Sequence, residues 1–395
     1  MSRQKFTVIG MSDGRNLWFP PEVQDVIASG RVFSGGRRHY EIVADMLPDG
    51  AQWIDITVPL EAVFEQYSAY EEIVVFASGD PLFFGFANTI RRELPDAEII
   101  VFAAFNSLQT LAHRMLLPYA EMRTVSLTGR PWDAFDAALI KGEKLIGVLT
   151  DRQKTPAAIA SRMLDYGYCN YRMTVGENLG NNDTERVRTL QLAEASAGEF
   201  NAPNCLILEQ TAARPHSFGI PENQFELLDG RVSMITKMPV RLLTLSQLDL
   251  PRRTSFWDVG FCTGSVSIEA KLQFPHLKVT SFEVREQGRS LMESNARKFG
   301  APGITAVIGD FLEADLSGLP APDAVFIGGH GGKLEEMLRR IDEVLLPGGV
   351  IVFNAVSEES QALFREGVAA VGRKVTGQMR AAIDEFNPIT ILKAE

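Results

Sequence analysis

The sequence predicts an α/β protein built from two unlike domains, and three observations point to it. Apolar runs of strand length alternate with helix-like patterns along almost the whole chain. Two of those strands end in small-residue turns about 180 residues apart: Ile73–Ser78 runs into Gly79-Asp80-Pro81, and Trp257–Gly260 runs into Phe261-Cys262-Thr263-Gly264-Ser265. Between them, residues 211–230 change to loop chemistry, with Arg214-Pro215-His216, Gly219-Ile220-Pro221 and Asp229-Gly230, and mark a boundary.

The first half opens on a strand at 5–11 and a turn at Ser12-Asp13-Gly14. A helix over 20–29 follows, with Pro21 in its first turn and Gly30 as its stop. Strands near 31–34, 53–57, 73–78 and 97–103 alternate with helices around 59–69, 82–94 and 106–116, and Leu117-Pro118 breaks the pattern. A second set has a strand at 123–127, a helix near 132–141, a strand at 144–150 and a helix capped by Thr155 and opened by Pro156. Strands near 171–177, 185–193 and 204–209 close this half without another helix. The expected domains are 1–210, as lobes of about 1–117 and 118–210 with a cleft between them, a linker at 211–230, and 231–395. In the last, an amphipathic helix from Pro239 to Gln247 precedes strands near 255–260, 278–284, 304–309, 323–328 and 349–355. Two final strands, around 374–380 and 388–393, close a parallel sheet with a hairpin.

Of the 395 residues 45% are hydrophobic and 23% charged, which is ordinary for globular domains. The net charge of −11 argues against a nucleic-acid partner, since phosphate binding needs a basic surface. It leaves room for a polyanionic small molecule in a local basic pocket. Cys169, Cys205 and Cys262 have neither disulfide nor metal-ligand spacing, so no metal is expected. No apolar run approaches the ~20 residues that span a bilayer. The opening strand leaves no room for a signal peptide, so a cytoplasmic chain without a membrane partner is expected.

In the second half, Asp258-Val259-Gly260 ends one strand and Gly264-Ser265 begins a helix. Glu283 lies 23 residues beyond Gly260 at the end of the next strand, where a carboxylate can accept both hydroxyls of a ribose. Asp310 ends the third strand within reach of a nucleobase edge. The Gly328–Gly332 run follows the fourth, and Pro347-Gly348-Gly349 turns into the fifth. All these positions fall on the carboxyl edge of one parallel sheet, where open α/β sheets bind ligands. The succession resembles the class I S-adenosylmethionine-dependent methyltransferases and implies their Rossmann-like sheet. Cys262 stands where that family usually has the second glycine of its first loop. The resemblance implies cofactor contacts from Thr236, Gly260, Thr263, Gly264, Ser265, Glu283 and Asp310.

The first half has a different set: Ser78-Gly79-Asp80-Pro81-Leu82-Phe83-Phe84-Gly85, Val8-Ile9-Gly10, Gly35-Gly36-Arg37-Arg38-His39, Thr155-Pro156-Ala157 and Val175-Gly176-Glu177-Asn178-Leu179-Gly180. Together these resemble the tetrapyrrole (corrin and porphyrin) methylases, two-lobed α/β enzymes that hold S-adenosylmethionine between their lobes. Contacts from Gly10, Gly79, Asp80, Pro81 and Ser107 are implied. Along nearly the whole chain, through Ile235-Thr236-Lys237, Val240-Arg241 and Asn387-Pro388, the order of motifs is similar to the decarboxylating precorrin-6Y C5,15-methyltransferase family.

That similarity implies one S-adenosylmethionine site per domain and a tetrapyrrole substrate, precorrin-6B. It implies methylation at C5 and C15 and loss of carbon dioxide from the C12 acetate, giving precorrin-8 in cobalamin biosynthesis. A homo-oligomer is expected. Arg37 and Arg38 in the first domain, and Lys237 and Arg241 in the second, are candidates for the substrate carboxylates, because arginine suits bidentate carboxylate binding. His330 is a candidate to donate a proton or orient an acetate, and His39 offers the same chemistry in the first domain. Asn354 is a candidate to hydrogen-bond the substrate. Two rivals stand beside this: a methyltransferase of RNA or protein with an appended recognition module, which the acidic balance disfavours, and a non-catalytic S-adenosylmethionine sensor.

Overall fold

The alternation read from the sequence becomes three sheets in a computed structural model that describes residues 3–12, 14, 17–215, 218–383 and 387–395. Asp13 of the expected first turn and His216 of the expected linker lie outside the described residues.

The first sheet holds β1 (Lys5–Met11), β2 (Val32–Gly35), β3 (Gln52–Asp55), β4 (Glu72–Ser78) and β5 (Glu98–Phe102) in the order β3-β2-β4-β1-β5, with every pairing parallel. Its central strands are buried from Phe6 to Met11 and from Ile73 to Ala77, as continuous apolar runs covered on both faces should be. Met11 pairs with Ser78, so the carboxyl ends of β1 and β4 lie side by side.

The second sheet holds β6 (Arg123–Ser126), β7 (Leu145–Leu149), β8 (Tyr171–Glu177), β9 (Arg186–Gln191) and β10 (Asn204–Gln210) in the order β6-β7-β10-β8-β9. Only β6 and β7 pair in parallel. The third sheet holds β11 (Ser255–Val259), β12 (Lys278–Glu283), β13 (Ile304–Ile308), β14 (Ala324–Ile327), β15 (Val350–Ala355), β16 (Val375–Ala381) and β17 (Ile389–Ala394) in the order β13-β12-β11-β14-β15-β17-β16. Its first five strands run parallel, and β17 joins β15 and β16 antiparallel as the expected hairpin. Trp257, Phe282 and Phe311 pack edge to face or tilted in one of its cores.

The chain divides into two compact units. One comprises Met1–Arg130, Lys144–Ser161 and Tyr171–Thr211 and contains the first two sheets. The other comprises Pro131–Glu143, Arg162–Asn170 and Ala212–Glu395 and contains the third sheet with helix Asp133–Lys141.

Three details depart from the expected elements. Helix Arg37–Val43 arises inside the Gly-Gly-Arg-Arg-His run, too short to show a helical period; the Gly36 N–H at its start donates to His39 Nδ1 at 3.2 Å. Helix Leu192–Ser196 follows β9, where the Gln191 N–H donates to Glu194 Oε2 at 2.9 Å. The helix expected over 82–94 begins only at Phe86. Before it, the Leu82 N–H donates to Asp80 Oδ1 at 2.8 Å and Phe84 adopts a left-handed φ of 55°, so residues 81–85 form a tight turn instead. Among the described residues no helix is long and apolar enough to cross a membrane.

Candidate functional site

In the second unit the carboxyl ends of the parallel strands surround a cavity of about 780 Å³. Gly260, just past β11, has φ 82°, and a Cβ there would come within 2.7 Å of the Gly329 backbone nitrogen. Only glycine lets these two turns meet backbone to backbone and leaves a bare shelf for a ligand. Glu283 ends β12 almost fully buried. Its Oε2 accepts the Cys262 N–H at 2.9 Å, and its Oε1 accepts the Arg285 N–H and guanidinium, each at 3.0 Å. Asp310, beyond β13, accepts Lys333 Nζ at 2.7 Å and the Leu312 N–H at 3.0 Å; the Lys333 bond holds its carboxyl below the ordinary range.

His330 follows β14. Its Nδ1 accepts the Gly332 N–H at 3.2 Å and its ring meets Phe353 edge to face at 5.8 Å. An amide N–H donates only to an unprotonated nitrogen, so the ring proton sits on Nε2. Asn354 is on β15, where its Oδ1 accepts the Thr244 hydroxyl at 3.0 Å and leaves the NH₂ branch for a ligand. Thr236, Lys237, Gly260, Glu283, Asp310, His330 and Asn354 all line this one cavity.

Other expected residues are placed elsewhere. Thr263 and Ser265 are buried, and with Gly264 they are not among the lining residues; they build the turn and the start of helix Ser265–Gln273. Arg241 corrects the sequence reading. It is fully buried, 3.3 Å from Glu269 Oε2 and 3.0 Å from the Thr236 carbonyl, also bonded to the Ile220 carbonyl, and packed over the Phe225 ring. A guanidinium held by those partners is structural and does not reach a ligand. Lys237 does line the cavity, with Nζ on the Val232 carbonyl at 2.8 Å.

The sequence reading missed Val232–Ile235, Val284 and Arg285 as lining residues. Of these only Arg285, a charge two residues after Glu283, gave any signal. Cys262 also lines the cavity, in a left-handed conformation with φ 52°; burial pushes its thiol up to about 11. Beneath, Asp258 Oδ2 accepts Ser267 Oγ at 2.5 Å while Oδ1 has no partner, and burial pushes its carboxyl up to about 7.

In the first unit, a cavity of about 520 Å³ opens at the carboxyl ends of β1 and β4. Gly10 lies behind it: a Cβ there would be 2.1 Å from the Gly79 carbonyl oxygen, so Gly10 lets the Gly79 turn close down without lining the cavity. Gly79 lines it with φ 62°, and its own Cβ would be 2.8 Å from Asn106 Cα. Asp80 and Pro81 shape the turn and do not line the cavity, whereas Ser107, the first residue of helix Ser107–Arg114, does. Thr128, Thr150 and Asn204 line the side nearer the second sheet.

The two arginines of helix Arg37–Val43 separate. Arg37 is exposed, 3.4 Å from Glu41, and does not line the cavity. Arg38 and His39 do, each bonded to Ser78 Oγ, at 3.0 and 2.9 Å. Burial, with the charge of Arg38, pulls His39 down to about 4. Beside each cavity a glycine turn packs backbone to backbone where a Cβ would collide, which suits close approach of a nucleoside-bearing group, and the second adds the buried Glu283 carboxylate.

Comparison with known proteins also divides the chain in two, with segments 131–143 and 162–170 falling in the first match. Residues 5–196 match the family described as Tetrapyrrole (Corrin/Porphyrin) Methylases, and residues 228–394 match one described as Precorrin methyltransferase domain. A Sinorhizobium protein named precorrin-6Y C(5,15)-methyltransferase (decarboxylating) is 35% identical over 374 residues, covering 93% of this chain and 88% of that protein. A Mycobacterium tuberculosis protein of the same name is 28% identical, over 86% of this chain and 84% of its own length. A Salmonella typhimurium protein named cobalt-precorrin-6B C(15)-methyltransferase (decarboxylating) is 40% identical over 133 residues, covering 34% of this chain and 68% of that protein.

Proposed function

The chain belongs to the decarboxylating precorrin-6Y C(5,15)-methyltransferase family, and from that premise we propose that it methylates precorrin-6B at C5 and C15 and removes carbon dioxide from the C12 acetate, leaving a methyl group there and giving precorrin-8 for cobalamin synthesis. The observation that carries this is likeness to one relative along 93% of the chain, spanning both cavities. Each unit has its own donor site. In the first, Gly79 and Ser107 face the donor while Gly10, Asp80 and Pro81 hold the turn in shape. In the second, Gly260, Glu283, Asp310 and Thr236 face it, over a floor of Thr263, Gly264 and Ser265. S-adenosylmethionine, when bound, supplies a methyl group already activated on sulfonium.

The chain's own contribution is placement. The attacked meso carbon is nucleophilic because the reduced macrocycle is electron-rich, so alignment matters more than a strong base. Glu283 is pre-set by the Cys262 N–H on Oε2 and by Arg285 on Oε1, and takes a ribose hydroxyl on the remaining lone pair of Oε2. In the second cavity Lys237 attracts a substrate carboxylate and the Asn354 NH₂ bonds another acceptor. His330, its Nδ1 held by the Gly332 N–H, presents Nε2 to orient the acetate or to deliver the proton that the methylene carbon takes up. When carbon dioxide leaves the acetate, the electron pair of the broken C–C bond passes from the methylene carbon into the conjugated imines of the ring. The exposed methylene carbon then takes up a proton. Removing water from the departing carboxylate weakens its hold on its charge.

Residues 228–394, matched by the precorrin methyltransferase domain, carry the decarboxylating half of the reaction, and the Salmonella relative's name supports this division. Full-length Glu283→Ala and Gly79→Val proteins, incubated with precorrin-6B and S-adenosylmethionine and read by mass, test it. Glu283→Ala gives a product with one added methyl and every carboxyl kept. Gly79→Val gives one added methyl with one carboxyl lost. Simultaneous loss of both reactions in either variant would show that the labour is not divided this way.

A further inference from the structure

Arg38, His39 and Ser78 form a hydrogen-bonded cluster at the end of β4, and counting its protons fixes what it offers. The Gly36 N–H donates to His39 Nδ1 at 3.2 Å, so that nitrogen is bare and the ring's one proton is on Nε2. Nε2 lies 2.9 Å from Ser78 Oγ and therefore donates to it, and Arg38 Nη2 donates to the same oxygen at 3.0 Å. A hydroxyl has two lone pairs and one proton. With both pairs taken, the Ser78 proton is left for a further acceptor, and all three side chains line the cavity. The depressed basicity of His39 keeps this polarity fixed across the neutral range.

A hydroxyl proton left for an acceptor, with the positive charge of a guanidinium beside it, is the recognition chemistry of a carboxylate. We infer that Ser78 and Arg38 together seat one side-chain carboxylate of the tetrapyrrole in the first cavity, with neutral His39 as the residue that positions the serine. Ser78 adjoins Gly79, so the seated acid sets which edge of the ring reaches the methyl donor. This rests on the first unit being a tetrapyrrole methylase and adds a substrate anchor to it. The carboxylate of the methyl donor has the same chemistry, and the experiment separates the two.

Full-length Ser78→Ala, Ser78→Thr and His39→Leu proteins are assayed for the methylation that keeps every carboxyl, with KM measured separately for tetrapyrrole and for S-adenosylmethionine. Loss of one hydrogen bond to a charged group raises the tetrapyrrole KM roughly ten- to hundred-fold in Ser78→Ala. The S-adenosylmethionine KM stays unchanged, Ser78→Thr restores binding to within a few-fold, and His39→Leu repeats the Ser78→Ala defect. Should Ser78→Ala fail to fold, Arg38→Gln on the same cluster reads the same split. A rise confined to the S-adenosylmethionine KM would assign the hydroxyl to the methyl donor and overturn the inference, as would two unchanged constants. An unmutated chain that incorporates no methyl at all would instead overturn the methylase reading underneath.

Discussion

Asp258 lies below the second cavity with no exposed surface, one carboxylate oxygen on Ser267 and the other without a donor. Burial raises its pKa to about 7, with Glu283 adding to the rise. A raised carboxyl pKa means the folded state holds the proton more tightly than the unfolded chain. Its contribution is therefore complete below the unfolded pKa near 4 and is lost as pH rises through about 7, by up to about 1.4 kcal/mol per unit. Asp258→Asn should flatten the fall in melting temperature between those limits; an unchanged slope in paired thermal scans counts against it. Cys262 is a second residue-scale case. Left-handed backbone costs a non-glycine residue about 1–2 kcal/mol, while added unfolded-state freedom offsets about 0.4–1 kcal/mol of any glycine replacement. Cys262→Gly should thus gain up to about 1 kcal/mol in urea unfolding and tighten S-adenosylmethionine binding in the second unit. The departure at position 262 was legible from the sequence because the loop pattern expects glycine there. The hydrogen-bonded cluster around Ser78 was not, because it depends on two side chains about forty residues earlier in the chain.

At the scale of elements, the buried Arg241–Glu269 pair straps the segment after the first unit to the third sheet's helices. Glu269, on helix Ser265–Gln273, accepts the Gly219 and Ile220 N–H groups at 2.8 and 3.1 Å, while Arg241, on helix Met238–Gln247, holds the Thr236 carbonyl. Arg241→Ala strands a buried carboxylate and should cost about 3–5 kcal/mol in denaturant unfolding, with Arg241→Met costing less. Equal losses in the two variants would show that packing, not charge, holds the strap. Sequence alone supplied Arg241's charge and its neighbourhood, which suggested a substrate ligand; it could not supply the helix face that buries it. Strands were easier to read than turns. Their apolar runs are set by burial on both faces, whereas the late start of helix Phe86–Glu93 depends on the Asp80 side chain and the strained Phe84.

At the scale of the whole molecule, the chain passes from one compact unit to the other at Thr211–Ala212, at the start of the loop-textured stretch 211–230, and Gly260, Glu283 and Asp310, picked out by their spacing, line one cavity. Two excursions of the chain were not legible: segments 131–143 and 162–170, ordinary helix patterns in sequence, belong to the second unit. There Arg162 clasps Asp136 at 2.8 and 2.6 Å, the Tyr168 hydroxyl donates to the Gly300 carbonyl at 2.7 Å, and Asp136 supports the charge of buried Lys271. A fragment of residues 231–395 lacks Asp136 and should melt below the second transition of the full chain, with Lys271→Met recovering part of the difference. A fragment as stable as the full chain would show that the excursions contribute nothing.

The same winding has a bearing on how this chain comes apart. A protease that nicks between residues 211 and 230 cuts the polypeptide but releases no free module, because stretches belonging to one fragment stay embedded in the body of the other. The nicked halves should co-elute on a sizing column until denaturant is added. A chimera spliced at that junction would inherit a body with two staves missing from its hull.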